Sequence, residues 1–191
     1  LNDRKYLWLS STNRNRGTGS RSPVTFLGNP WDKTIRVTEG ILKATIAHSL
    51  SGYSFLGTPG VSQYKELRKA LMTLKQNGLE EVKEYYDMDK YLDIRCFGDY
   101  KSSVCSCCAR YSPGGDGADC ERKQNKREQI RDGCGHLYEI CDELALRCVR
   151  KTWDMTPEGI WAGKQKGIDD YWWACKKNIS LERGLIRNGY E

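Results

Sequence analysis

The chain has 191 residues, with 31 Lys and Arg against 25 Asp and Glu for a formal charge of +6; apolar residues make up 38% and charged residues 29%. That content excludes a disordered polymer, the length suffices for one ordinary domain or two small ones, and no apolar run reaches the ~20 residues that span a bilayer. The opening Leu1-Asn2-Asp3-Arg4 carries no initiator methionine or signal pattern, which reads as a processed product.

In chain order, residues 5 to 9 and 24 to 37 lean towards β structure, the latter through Val24, Phe26, Ile35 and Val37 around Gly28-Asn29-Pro30. Between them, Ser10 to Ser22 with Arg14, Arg16 and Arg21 reads as an exposed basic loop. Ile41, Leu42, Ile46 and Leu50 predict a short helix stopped by Gly52, with His48 as a packed residue without chemistry. Tyr64, Leu67, Leu71 and Leu74 predict a second helix closed by Gly78, and Leu79 to Leu92 a third, so that the two form a helical hairpin. Ser112 to Ala118 is a loop, Glu121 to Arg131 a short polar helix, and Cys134 to Lys151 a further helix. Thr156-Pro157-Glu158 reads as the N-terminus of a last helix running to about residue 176.

All nine cysteines, Cys96, Cys105, Cys107, Cys108, Cys120, Cys134, Cys141, Cys148 and Cys175, fall after residue 95. That density marks a disulfide scaffold, and the single Cys-x-x-Cys at 105 to 108 lacks the second knuckle of a zinc site, although four thiolates from Cys105, Cys108, Cys120 and Cys134 are the alternative. Cys134, Cys141 and Cys148 recur every seven residues, so on one helix they form a stripe with neighbours about 10.5 Å apart, too far to bridge one another. Each is expected to staple a different element at about 2–4 kcal/mol per bridge, and the odd cysteine to stay free or pair with another chain. The fold expected is mainly α within an α+β class: a disulfide-stapled helical half, residues 96–191, joined to a cysteine-free half, residues 1–95, with a small β element. One continuous domain is the alternative.

Motifs for chemistry fail on inspection. Cys141 to Arg147 has phosphatase spacing but helix-forming and acidic residues between, and Leu137 stands where an acid beside His136 would complete a calcium-dependent lipase pattern. Asp87-x-Asp89-x-x-x-Asp93 lacks the glycine and third oxygen ligand of an EF-hand, and is read as a solvated helix face. Asp169 and Asp170 are read as ordinary surface acids. No catalytic residue, metal or cofactor is assigned, and the reading leans away from an enzyme. The features that point to binding are Trp161, Trp172 and Trp173 among Lys176, Lys177 and Arg183, since tryptophan and arginine are enriched at interface hot spots. Asn178-Ile179-Ser180 is an acceptor sequon for N-glycosylation. The function expected is a secreted or surface-exposed protein that engages a protein receptor or acidic glycan through this C-terminal region. The alternatives are an intracellular, zinc-stabilised binder of nucleic acid or a host factor, and a secreted hydrolase.

Overall fold

The computed structural model describes residues 23–61, 63–92 and 121–187, with side chains described from Gln124 in the third helix and through Lys177 in the last. It is a five-stranded sheet flanked by helices, in the order β1 (Thr25–Leu27), β2 (Thr34–Glu39), α1 (Ile41–Ser51), β3 (Phe55–Thr58), α2 (Lys65–Gln76), β4 (Glu81–Glu84), a 3-10 turn (Met88–Tyr91), α3 (Glu121–Glu143), β5 (Arg147–Arg150) and α4 (Ile168–Arg187). The strands lie in the order β1-β3-β2-β4-β5. Four of them run parallel, with Val37 beside Leu56, Ile35 beside Val82 and Val82 beside Cys148, while β1 pairs antiparallel with β3.

This order follows from where each crossover goes. From β2 the chain passes through α1 to β3, then through α2 back across to β4 on β2's other side. The helices therefore cover opposite faces, and both faces are apolar. Ile35, Val37, Leu56 and Val82 pack against Leu67, Leu71 and Leu74 of α2 and Ile130, Leu137 and Ile140 of α3. On the other face, Phe55 meets Ala44 and Ala47 of α1 with Trp153 and Ile168. Two glycines permit this packing. A Cβ on Gly57 would come within 2.9 Å of the Ala44 Cβ under α1, and one on Gly133 within 2.6 Å of the Val61 carbonyl under α3.

The expectation of a mainly α, disulfide-stapled fold is overturned: the sheet mixes parallel and antiparallel strands in an α/β arrangement, and no two described cysteines stand at bonding distance. Where a second hairpin helix was expected, Glu81–Glu84 is a strand next to β2. The heptad argument fails because the helix stops at Glu143. Leu146 N–H donates to the Cys141 carbonyl at 2.8 Å and Ala145 N–H to the Asp142 carbonyl at 3.0 Å, with Ala145 left-handed at φ 47°. This is a Schellman closure with alanine in the usual glycine position. It folds Cys148 back beside Cys141, whose thiol is hydrogen-bonded to it.

Cys134, Cys141, Cys148 and Cys175 are free thiols, the first two buried in the core as small apolar residues. Cys96, Cys105, Cys107, Cys108 and Cys120 lie outside the described residues, as do the expected strand at 5–9, the basic loop before Ser22 and the loop at 112–118. Glu121 begins one continuous helix rather than a short one, and the last helix begins at Ile168, not Pro157. No described helix is long and apolar enough to cross a membrane.

Candidate functional site: carboxylates and lysines at the C-terminal edge of the sheet

α1, which follows β2, and α3, the next described α-helix after β4, cover opposite faces of the sheet, so the ends of these two strands form the switch point of its topology. In open parallel sheets this is where ligands bind. The residues gathered there are charged. Glu39 is the last residue of β2, and Asp87 and Asp89 follow the end of β4, with 1% and 2% of their surface exposed. Asp169 comes from the first turn of α4.

The neutralising charge comes from three other elements. Lys43 of α1 donates to both Asp87 carboxylate oxygens at 2.6 Å. Lys166, in the loop before α4, bridges Asp87 and Asp89 at 3.2 and 3.1 Å. Lys126 of α3 stands 3.7 Å from Asp89. Backbone bonds hold the constellation in place: Met88 N–H donates to the Lys166 carbonyl at 3.0 Å, and Asp170 accepts the Gly167 N–H at 3.2 Å, closing the first turn of α4.

Charge balance at this edge is incomplete. The Glu39 Oε2 and Asp169 Oδ1 oxygens are buried and accept no hydrogen bond. Burial, followed by the nearby Asp87 charge, raises the Glu39 pKa, and burial, followed by Asp170, raises that of Asp169. Burial works against the Lys166 ammonium, but Asp87 and Asp89 outweigh it and hold its pKa above the ordinary value. The lysines remain partly open to solvent, with 28% of the Lys43 and 43% of the Lys166 side chain exposed, whereas the aspartates are sealed. The cations can thus swing away while the anions cannot. α1 starts at the same strand ends behind Gly40, with no side-chain cap and no acid in its first turn, so its first N–H groups face this edge unpaired by side chains.

No family model, curated protein or solved structure matches this chain. The function must therefore be read from this chemistry. Among the described residues no three carboxylate, thiol or imidazole groups converge at metal-ligand distance as they stand; the Lys166 ammonium lies between the two aspartates that would be the first ligands.

The tryptophan-rich region is only partly a surface. Trp161 and Trp172 pack against the cluster around Trp153 and Ile168, with the Trp172 ring 5.7 Å from that of Tyr53. Trp173 is 53% exposed with the Lys177 ammonium 5.3 Å from its ring, and Lys176 is exposed. Asn178 and Arg183 lie in α4, beyond its described side chains. His48 sits half-buried and pairs with the Tyr53 carbonyl at 2.7 Å, and His136 stacks on Tyr64 at 3.8 Å.

Asp87 and Asp89 are the reverse of a solvated face. Glu39 passed unnoticed in the sequence, although Val37-Thr38-Glu39-Gly40 places an acid where a β run meets a glycine and a helix. That signal needs the position of β4 before it means anything.

Proposed function

We propose that this chain acts on the phosphates of nucleic acid, as a divalent-cation-dependent phosphoryl-transfer site built from Glu39, Asp87 and Asp89 with Lys43, Lys126 and Lys166. The observation that carries the reading is the pair of sealed aspartates, held with an unpartnered glutamate oxygen at the strand ends and neutralised only by lysines that reach solvent. Stability does not call for such a group, because burying charges costs more than their attraction returns unless every lone pair is satisfied. A carboxyl whose pKa is raised by burial beside other buried acids, as that of Glu39 is, is a mark of function.

The residue types suit a cation and an anion together. Hard carboxylate oxygens are the ligands that magnesium and manganese prefer. A bound cation would supply charge neutralisation at a phosphoryl oxygen. With the carboxylates so engaged, Lys43 and Lys166 are free to bind phosphate oxygens, and the uncapped N-terminus of α1 offers backbone N–H groups to the same anion. The overall charge of +6 favours a polyanionic substrate.

The test is manganese binding to the full chain by electron paramagnetic resonance, alongside magnesium-dependent turnover of end-labelled DNA and RNA. Wild type is expected to bind the ion and to process a nucleic acid, and Asp87→Asn and Asp89→Asn to lose both. Equal manganese binding by all three proteins overturns the reading. The exposed Trp173 with Lys177 over it supports a second one, docking of an acidic glycan or protein receptor on α4; retention on heparin that Trp173→Ala abolishes would favour it.

A further inference from the structure

Resting on that reading of the carboxylate cluster, we propose that the pocket next to it receives one unstacked nucleotide of a single strand, its base against tyrosine rings and its phosphate on two arginines. The pocket has a volume of about 240 Å³ and is lined by Lys90, Tyr91, Arg131, Cys134, Tyr138 and Arg150. It lies where the 3-10 turn, α3 and β5 meet. Lys90 is the residue after Asp89, so the pocket begins one residue from the carboxylates.

Its construction is graded from floor to rim. Lys90 and Cys134 are buried, with 3% and 4% exposed; Tyr91 and Tyr138 form half-buried walls, and Arg131 and Arg150 stand exposed at the mouth. The floor charge is already balanced. The Lys90 ammonium is held by Glu84, which also accepts the Tyr86 N–H at 2.7 Å and the Tyr138 hydroxyl at 2.9 Å. The rim charge is not balanced. Arg131 donates its Nε to the Lys90 carbonyl at 3.1 Å and Arg150 its Nε to the Tyr138 hydroxyl at 3.0 Å, and neither forms an ion pair with a described carboxylate. Arg131 is thus oriented through one nitrogen, whereas Arg150, 5.2 Å from the Tyr138 ring, interacts with both Tyr138 and Tyr91.

Two tyrosine rings, each with a cation over one face, Lys90 5.6 Å from the Tyr91 ring and Arg150 5.2 Å from that of Tyr138, together with arginine at the mouth favour a flat, anionic ligand. A compact inorganic anion would leave the rings unused, and a paired duplex could touch only the rim, because its base faces are stacked away. An unpaired nucleotide satisfies both parts.

The experiment uses the full chain in EDTA, so that it does not depend on the cation, with a fluorescein-labelled oligothymidine of about 20 nucleotides and a hairpin duplex of equal length as probes. The expected result is preference for the single strand. Tyr91→Leu should weaken it about 10-fold, and Arg131→Gln should weaken it several-fold and lower the salt slope by about 1. Thermal midpoints of the variants report folding. Independently of them, a bromodeoxyuridine-substituted oligonucleotide should photocrosslink to wild type at Tyr91 or Tyr138, located by mass spectrometry. Equal affinity for duplex and single strand, equal affinity for thymidine monophosphate and the oligonucleotide, or crosslinks confined to other elements overturns the proposal. Strand discrimination without manganese binding at Asp87 and Asp89 would sink the phosphoryl-transfer reading alone; manganese binding without strand discrimination would sink only the pocket.

Discussion

The face of the sheet under α2 and α3 and the edge formed by the ends of β2 and β4 both bury side chains completely, yet they are built on opposite principles. Under α2 and α3, Leu67, Leu71, Val82 and Leu137 are wholly buried, and the cost of each is met by its own apolar contacts. At the edge, Asp87 and Asp89 are buried and share lysines that reach solvent, and the half-buried Glu39 keeps one buried oxygen without a partner. The first region makes the fold, and the second draws on its stability. Substitutions should therefore move stability downwards in one and upwards in the other.

The largest effect is expected where a charge has been carried into the packed region. Lys90 and Glu84 are an ion pair at 3% and 0% side-chain exposure. Lys90→Met strands the carboxylate and should cost about 3–5 kcal/mol in chemical denaturation. Leu137→Ala, which opens a cavity under α3, should cost about 3 kcal/mol and leave manganese affinity intact. Glu39→Gln should do the opposite and stabilise the cation-free protein at pH 7 by about 1 kcal/mol. The sign follows from its raised pKa: a carboxyl that resists ionisation in the fold loses stability as pH climbs past the ordinary glutamate value near ~4.3, so the advantage of the variant should vanish below about pH 4. A variant less stable than wild type at pH 7 would erase the contrast between the two regions.

The smallest effect concerns Cys134, Cys141 and Cys148, which lie in or against the core under α2 and α3. Burial pushes the Cys134 thiol up to about 12, and the hydrogen bond to Cys148, followed by burial, raises that of Cys141. The same bond lowers the Cys148 pKa, and Cys148 is only half-buried. Iodoacetamide at pH 7.5 should therefore modify Cys148 ahead of Cys134 and Cys141 in the native protein, as read by peptide mass mapping.

What the sequence made legible follows the same division. α1 and α2 were readable because apolar periodicity ended at glycines, and both glycines adopt positive φ, 74° at Gly52 and 100° at Gly78. β4 was not, since Glu81-Val82-Lys83-Glu84 holds a single apolar residue and its strand character comes from lying between β2 and β5. β5 was hidden by Ala145, whose left-handed conformation ends α3 without the usual glycine; the seven-residue cysteine spacing then suggested a helix running on. The Asp87-x-Asp89 pair was visible as residues but not as a site, because no spacing rule says that a neighbouring strand ends in Glu39.

Lys166 holds the turn after β4 twice, its carbonyl on the Met88 amide and its ammonium on Asp87 and Asp89. Backbone and side chain thus form a buckle on a single residue, fastening the strap that leads into α4. An occupant that takes over the aspartates opens half of the buckle while the other half stays shut, so the lysine can release its charge without the last helix losing its seat.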